Sequence, residues 1–471
     1  MLNYILRFSI ERRGIVFLLV LLLIGLGVWN FTKLPIDAVP DITNVQVVIN
    51  TEAPGYTPLE VERRVTFPVE STMSGLPKLS YTRSSSRYGL SQVIVVFEEG
   101  TDIYFARQLV SERLISAKSQ LPTSLEPNLG PIATGLGEIF MFTVDAELGA
   151  TNDDGSLITP TDLRSVHDWI IRPQLLRVPG VVEVNPIGGF KKEILIAPDP
   201  AKLLAFNLTY RDILNAVEQN NANRGAGFIE HNGAQWLMRV PGQANEIDAL
   251  KNILIQTHNS VPLRIRDVAT VEQGQELRSG AATQNGREVV MSTVFMLIGE
   301  NSRTVASEVA QKLEDIKASL PSGITATAVY DRTNLVDKTL KTVRTNLAEG
   351  ALLVVAVLLL LLGNLRAALI TAAVIPIAML MTITGMVKSG VSANLMSLGA
   401  LDFGLIVDGA VIIVENCMRR LSSANDSQMN NLQERLSIVF EATKEVIRPA
   451  LFGVFIITAV YIPIFALTGI E

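Results

Sequence analysis

Cysteine is nearly absent from this chain of 471 residues, and Cys417 is the single example. An internal disulfide is therefore excluded, and the fold must hold without one. Histidine is also scarce: the three residues His167, His231 and His258 are scattered, without the spacing of metal ligands. The 40 basic and 46 acidic side chains give a net charge of −6. Without a basic excess, nothing indicates a nucleic-acid partner.

No window between residues 32 and 338 is apolar enough to span a bilayer, but apolar runs lie on both sides of this region. The first run covers residues 15–31 and follows Arg7, Arg12 and Arg13. It ends at Trp29 and the polar residues after it, with no small-residue cleavage site. We therefore predict an uncleaved first membrane helix, with Trp29 at the far interface.

Four more apolar blocks lie near the end of the chain, at residues 341–362, 367–387, 392–417 and 447–469. They predict membrane helices two to five, with a cytoplasmic interfacial segment near residues 419–447. Arg366 follows the second span, and Arg419 and Arg420 follow the fourth. By the positive-inside rule, the N-terminus is cytoplasmic and residues 32–338 are outside.

The outer region alternates between strand-like and helix-like segments. Thr57 and Glu60 form a capping-box signal, and Tyr88-Gly89 predicts the turn of an antiparallel pair. The segments in chain order are 45–50 (strand), 57–75 (helix), the pair on either side of 88–89, 102–120 (helix) and 139–147 (strand). This β-α-β-β-α-β order is that of a ferredoxin-like unit.

A similar pattern follows it. A helix at 161–178 precedes two strand-like stretches that predict a hairpin around Gly188-Gly189. A β-α-β unit comes later, and the glycine-rich stretch 222–243 predicts a projecting hairpin. The expected fold class is an α+β membrane protein: a transmembrane helix bundle with ferredoxin-like modules and an inserted lobe outside. Such modules imply no function by themselves.

Three carboxylates, Asp402, Asp408 and Glu415, lie in or beside the fourth apolar block. An ionised side chain at the centre of a membrane helix costs roughly 2.5–3.5 kcal/mol on insertion scales. These side chains must therefore face protein or a water-filled cavity, or be protonated. Burial and proximity of like charges raise carboxyl pKa values, which favours proton exchange near neutral pH. The alternative is simple pairing with basic residues of neighbouring helices.

Helical geometry separates the three acids into two sets. Asp408 and Glu415 are seven residues apart, so they share one face at about 10 Å along the axis. Asp402 points about 120° away from Asp408 in an ideal helix. Gly404 and Gly409 predict close helix packing beside these sites. A catalytic dyad of an intramembrane aspartyl protease needs two carboxyls within hydrogen-bond reach, and the divergence of Asp402 and Asp408 disfavours it.

The stretch DFGLIVDGAVIIVEN (402–416) resembles the fourth-helix signature of the heavy-metal efflux branch of the resistance–nodulation–division (RND) transporters. More narrowly, it is similar to the cobalt–zinc–cadmium resistance pumps. Three other stretches resemble the same branch: LPIDAVPDITNVQVVINTEAPGYTPLEVERRVTFPVE (34–70), GPIATGLGEIF (130–140) and VPGVVEVNPIGG (178–189).

The resemblance implies a bacterial inner-membrane proton antiporter, a secondary active transporter rather than an enzyme, with no cofactor. It would work as a homotrimer with a periplasmic adaptor and an outer-membrane channel, and export divalent cations of the Zn, Co, Cd and Ni type. Asp402, Asp408 and Glu415 occupy the acidic positions associated with proton translocation. Glu138 is a candidate metal ligand by resemblance, although a solvated acid at a strand edge is its ordinary interpretation.

The resemblance also implies a division of the chain. Residues 1–33 are the cytoplasmic N-terminus and first membrane helix, and residues 336–471 hold helices two to five. The first porter subdomain is 34–135, the second is 136–181 with 276–335, and the docking subdomain is 182–275. The 222–243 hairpin would reach into a neighbouring protomer.

Pumps of this branch are about twice as long, so the sequence is expected to be an N-terminal portion. It would be either a fragment of a longer protein or a chain that assembles with a separate second half. The basic partner of the fourth-helix acids, half of the porter cleft and part of any metal site would come from the other half. Three alternatives stay open. They are a pump for organic compounds, which the aromatic content of 6% disfavours, a pump for Cu or Ag, and a membrane-anchored fragment that does not transport.

Overall fold

The computed structural model describes residues 2–34, 43–240, 242–244, 246–258, 261–276, 280–389, 393, 403–425 and 431–463. These residues form two mixed sheet-and-helix modules, a smaller lobe and a set of long helices. The membrane-side helices are Leu2–Glu11, Arg13–Lys33, Arg332–Leu362, Leu365–Ala372, Val374–Ser389, Phe403–Ser422 and Leu432–Tyr461.

The first module is built on a four-stranded antiparallel sheet. Its strand order is Leu79–Arg87, Leu90–Phe97, Gln46–Glu52, Pro127–Leu129. The turn predicted at Tyr88-Gly89 is confirmed, since Arg87 pairs with Leu90 and Gly89 has a φ of +69°. Two helical stretches, Pro58–Met73 and Ile103–Lys118, share a buried core with the sheet.

The second module has a five-stranded antiparallel sheet. Arg287–Met296 lies at its centre and pairs with strands on both sides. The other strands are Glu138–Ala146, Ile324–Asp331, Val181–Ile187 and Ala282–Gln284. The helical stretch Pro160–Leu175 and the helix Ser302–Lys317 pack on this sheet.

One predicted strand belongs to a different sheet from the one expected. The strand Glu138–Ala146 exists, but it does not complete the first module; it pairs with Arg287–Met296 and Ile324–Asp331. Its side chains Phe140 and Phe142 are fully buried in the core of the second module. The short strand Pro127–Leu129 takes its place beside Gln46–Glu52. The ferredoxin-like assignment of the two modules stays a prediction.

The predicted hairpin at Gly188-Gly189 is wrong. Val181–Ile187 pairs with Arg287–Met296, whereas the next strand, Lys192–Pro198, pairs with Ala269–Gln275 in the smaller lobe. Gly188 and Gly189 both have positive φ, at +85° and +64°. A side-chain Cβ on Gly189 would lie 2.7 Å from the carbonyl oxygen of Pro160. The two glycines therefore direct the chain from one sheet into the next.

In its described residues, the smaller lobe contains three two-stranded sheets and four short helices. The predicted projecting hairpin is confirmed as the strands Arg224–His231 and Ala234–Val240, joined at Asn232-Gly233. The remaining elements are Lys192–Pro198 with Ala269–Gln275, Leu254–His258 with Val261–Arg264, and the helices Pro200–Ala205, Tyr210–Asn220, Ile247–Lys251 and Ile265–Val268.

Two helical segments in the described part of the chain are long and apolar enough to cross a membrane: Arg13–Thr32 and Leu365–Ser389. The exposed side chains Phe17 (67%) and Leu18 (62%) suit contact with lipid. The second segment is interrupted at Ala373, because Pro376 has no N–H to donate to the carbonyl of residue 372. Three other predicted spans overlap the remaining long helices, and the total of five spans stays a prediction.

Local signals explain where the long helices begin and end. Gly363 closes Arg332–Leu362 in the left-handed conformation, at a φ of +59°. Asn364 then caps the next helix by accepting hydrogen bonds from the backbone N–H groups of Arg366 and Ala367. The chain thus reverses within two residues and places consecutive helices side by side.

Candidate functional site

The helix Phe403–Ser422 holds two of the three predicted acidic residues, Asp408 and Glu415. Both side chains are exposed. Asp402 lies outside the described residues. The continuous helix keeps the seven-residue spacing, so Asp408 and Glu415 project from nearly the same side, about 10 Å apart along the axis.

Asp408 lines a cavity of about 380 Å³ between its own helix and Leu432–Tyr461. The walls are otherwise mostly apolar or small, and a second acid, Glu445, also lines the cavity. The other lining residues are Gly409, Ile412, Val446, Pro449, Ala450, Gly453, Val454 and Ile457. Glu415 is not among these lining residues, and it has no ion-pair or hydrogen-bond partner in the described part of the chain. Of the two acids that share a helix face, Asp408 therefore lines the cavity and Glu415 does not.

The expectation of close packing at Gly409 is wrong. Among the described residues, a Cβ placed on Gly409 would meet nothing within 4 Å. This glycine contributes open space to the cavity beside Asp408 and not a close helix contact. The side-chain surroundings of Gly404 lie outside the described residues.

A polar cluster that the sequence reasoning missed joins the two helices next to this cavity. The side chain of Asn416 is buried, and its Nδ2 donates to the carbonyl oxygen of Ala442 at 2.7 Å and to Oε2 of Glu445 at 3.2 Å. Arg420 donates to the same Oε2 at 2.9 Å from Nη2. Arg419 donates to Oδ1 of Asn416 at 2.6 Å. One sequence signal could have pointed to this cluster: Glu445 lies one helical turn before Pro449.

The single cysteine also lies in this helix contact. The Sγ atom of Cys417 is 3.5 Å from Oγ1 of Thr443, which is itself buried. The interpretation of Cys417 as a small packing residue is consistent with this half-buried position.

The described residues contain no group of three or more His, Cys, Asp or Glu side chains arranged to hold a metal ion. Glu138 is half-buried at the start of its strand, opposite Phe295. His167 is fully buried inside the second module, and His231 is exposed at the hairpin turn. The structure therefore does not bring the candidate ligand Glu138 together with further ligands within the part it describes.

Long apolar helices beside two sheet-and-helix modules, with an acid facing a cavity between helices, are consistent with a membrane transport protein. The sequence profile of the AcrB/AcrD/AcrF family matches residues 5–471, and the chain belongs to this family, whose members are RND transporters rather than enzymes. The resemblance stated from the sequence motifs is thereby confirmed.

Three relatives show which members of the family are similar. Protein HelA of Legionella pneumophila is 60% identical over 477 residues, covering 100% of this chain and 45% of the relative. The cobalt-zinc-cadmium resistance protein CzcA of Cupriavidus metallidurans is 57% identical over 473 residues, with 100% and 44% coverage. A crystal structure of a heavy metal efflux pump superposes with a TM-score of 0.86 at 32% identity, covering 99% of this chain and 45% of that one.

The chain thus spans a little under half the length of the curated relatives that it matches. Homologues of this type are inner-membrane proteins with periplasmic domains. The fold is that of an RND pump, with helices and strands in the arrangement of heavy-metal pumps.

Proposed function

We propose that this chain is the N-terminal portion of an RND pump that exports divalent heavy-metal cations of the Zn, Co, Cd or Ni type, driven by protons entering the cell. The observation that carries the proposal is Asp408 on a membrane-side helix, facing a cavity that it shares with a second acid. The identity of 57% to a cobalt-zinc-cadmium resistance protein supports the choice of substrate class.

In this proposal Asp408 takes up and releases the transported proton. Asp402 and Glu415 occupy the other two acidic positions, and Glu138 is a candidate ligand for the metal as it passes through the outer region. A carboxylate at the membrane helix is costly unless it faces water or protein, and the cavity beside Asp408 provides such surroundings.

The outer modules have assigned places in the same proposal. The first porter subdomain (34–135) and the second (136–181 with 276–335) would form one side of the metal path. The docking subdomain (182–275) would meet a periplasmic adaptor and, through it, an outer-membrane channel. The complete pump would be a homotrimer in the bacterial inner membrane, with residues 32–338 in the periplasm.

The test is metal-linked proton flux by the complete pump in proteoliposomes. We expect Asp408→Asn to abolish this flux, because an amide cannot exchange a proton, and to leave trimer assembly unchanged. Asp408→Glu keeps the carboxyl group and is the matched control, with part of the flux retained. Normal flux in Asp408→Asn would refute the assignment.

A tolerance panel of cells expressing the complete pump decides the substrate class. Protection against zinc, cobalt, cadmium or nickel is the expected result. Protection against silver or against organic compounds alone would favour the alternative pumps named above.

A further inference from the structure

Glu445 lies between two cavities. It lines the cavity of about 380 Å³ that contains Asp408. It also lines a second cavity, of about 590 Å³, formed by the ends of the same two helices. Of the described lining residues, Glu445 is the one that the two cavities share. The second cavity is polar, and its remaining residues are Arg420, Ser423, Ala424, Ser437, Ile438, Glu441, Ala442 and Lys444.

The carboxylate of Glu445 is held at one oxygen. Arg420 donates to Oε2 from Nη2 at 2.9 Å and from Nε at 3.3 Å, and Asn416 donates to the same atom at 3.2 Å. Within the described residues, no hydrogen bond reaches Oε1. The side chain is thus fixed in direction while Oε1 stays available to water or a proton.

The charged groups around Glu445 favour its ionised form. The hydrogen bonds from Arg420, and then from Asn416, lower the pKa of Glu445 below its ordinary value. Arg419 and Arg420 come from the neighbouring helix, Lys444 and Glu441 lie on its own helix at the outer cavity, and Asp408 faces the inner cavity. A carboxylate kept ionised in this way releases a bound proton readily.

The helix around Glu445 also provides a place for water. Pro449 lies inside the helix Leu432–Tyr461 and has no N–H, so the carbonyl of Glu445 lacks its usual helical donor. One turn further, a Cβ on Gly453 would meet nothing within 4 Å in the part of the chain that the structure describes. Asp408 and Asn416 are eight residues apart, and Asn416 contacts Glu445. Asp408 and Glu445 are therefore separated by about 12 Å along the helices. A proton needs water to cross that distance.

We infer that Glu445 is the cytoplasm-side proton acceptor of Asp408, placed between the two cavities and held there by Asn416 and Arg420. A proton that leaves the carboxylic acid of Asp408 moves through water in the inner cavity to Oε1 of Glu445, and then through the outer cavity to the cytoplasm. Both carboxylates are ionised again when the proton has left. This role rests on the proposed proton-driven export.

The experiment uses the complete pump in oriented proteoliposomes with a trapped pH dye. Glu445→Gln keeps the size of the side chain and an acceptor oxygen for Arg420, but it cannot take up a proton. We expect its metal-driven proton flux to fall at least about tenfold, as for loss of a positioned acid–base group, and to lose its dependence on pH at the cytoplasmic face. Glu445→Asp should retain part of the proton flux and part of its dependence on cytoplasmic pH.

The control is Glu434→Gln, an exposed acid on the same helix that lines neither of the two cavities. It should transport like the unaltered pump. If the unaltered pump shows no proton coupling, the proposed function fails and Glu445 has no such role. If the unaltered pump is coupled and Glu445→Gln behaves the same, the role of Glu445 is overturned while the proposed function stands. If Glu445→Gln and Glu445→Asp slow proton flux equally at every pH, Glu445 only holds the two helices together. That result also overturns its role as proton acceptor.

Discussion

At the scale of single residues, His167 connects a helix to the sheet beneath it. Its Nδ1 lies 2.7 Å from Oδ1 of Asp168, and its Nε2 lies 2.9 Å from Oγ of Ser292. The ring stacks on Phe142 with centroids 6.1 Å apart. The Ser–His–Asp order is that of a hydrolase triad, but His167 and Ser292 are fully buried. No substrate reaches the serine, so the arrangement serves stability.

The electrostatics of this cluster make the second module sensitive to acid. Burial lowers the pKa of His167. Burial would raise the pKa of Asp168, but the hydrogen bond from His167 and the charge of Arg164 outweigh it and lower that pKa. Below about pH 6.5 the unfolded histidine binds a proton that the folded one does not, so stability falls with falling pH. The contribution of Asp168 is lost at still lower pH, as it too becomes protonated.

Replacement of the histidine tests this account. His167→Ala should lower the free energy of unfolding by about 2–4 kcal/mol, through lost packing and the loss of the hydrogen bonds between the ring and Asp168 and Ser292. The loss should be smaller near pH 5.5 than near pH 7.5, because the variant has no buried imidazole to keep neutral. Thermal unfolding followed by circular dichroism in detergent measures both. The control is His231→Ala, at the exposed turn, which should change stability by less than about 0.5 kcal/mol. If the stability loss in His167→Ala does not depend on pH, the buried-imidazole account is contradicted.

At the scale of elements, the two outer modules repeat one helix design. Each of these helices starts with threonine and proline in a capping box, Thr57 with Glu60 and Thr159 with Asp162. Each then contains a π-helical turn that brings a polar side chain to a buried serine of its sheet. Thr66 meets Ser91 at 2.8 Å in the first module, as His167 meets Ser292 in the second. The capping boxes are visible in the sequence, whereas the π turns are not.

The connection after Val181–Ile187 is an element whose backbone tolerates only glycine. A Cβ on Gly189 would lie 2.7 Å from the carbonyl oxygen of Pro160 and 2.8 Å from Cγ2 of Val290. We expect Gly189→Ala to cost about 2–4 kcal/mol, from the positive φ together with these contacts. Chemical denaturation monitored by circular dichroism gives the value.

Gly149→Ala is the matched control for that change. Gly149 has a φ of +79° with nothing within 4 Å of its ideal Cβ, so it should show only the backbone cost of about 1–2 kcal/mol. If the two variants lose equal free energy of unfolding, the residues around Gly189 move aside for the added Cβ without a cost in stability.

At the scale of the whole molecule, the hairpin Arg224–Val240 exposes large apolar side chains away from every core. The exposed fraction is 65% for Trp236, 86% for Leu237 and 55% for Phe228. Exposed apolar side chains on a projecting element indicate an interaction surface. Entry of the hairpin into a neighbouring protomer of a trimer, which stays a prediction, would bury these side chains.

Polar replacement of two apolar side chains in the second strand of the hairpin tests the trimer. Trp236→Ser with Leu237→Ser should weaken assembly by at least about 2 kcal/mol, as loss of interfacial aromatic anchors does. Light scattering of the purified complete pump should then show monomers at concentrations where the unaltered pump is trimeric. Leu204→Ser, with an exposed leucine (83%) in the same lobe, should not change assembly. If the double variant still forms trimers, the hairpin does not contribute to the trimer interface.

The sequence predicted part of the candidate site, and the structure added the rest. Asp408 stood out because a carboxylate within an apolar run is costly. Asn416, Glu445 and Arg420 did not, since each is an ordinary polar residue near or just beyond the end of a predicted membrane span, 392–417 or 447–469. Their meeting depends on which faces of two helices pack together, and no local pattern records that choice.

The sequence by itself determined the positions of many helices and turns, from capping residues, glycines and apolar runs, because these signals act within a few neighbouring residues. The turn at Tyr88-Gly89 and the cap at Thr57 were predicted correctly for that reason. Only the tertiary structure decided that Glu138–Ala146 joins the second sheet and that Glu445 reaches the cavity of Asp408. These outcomes follow from contacts between residues far apart in the chain, where burial of a shared core selects the partner.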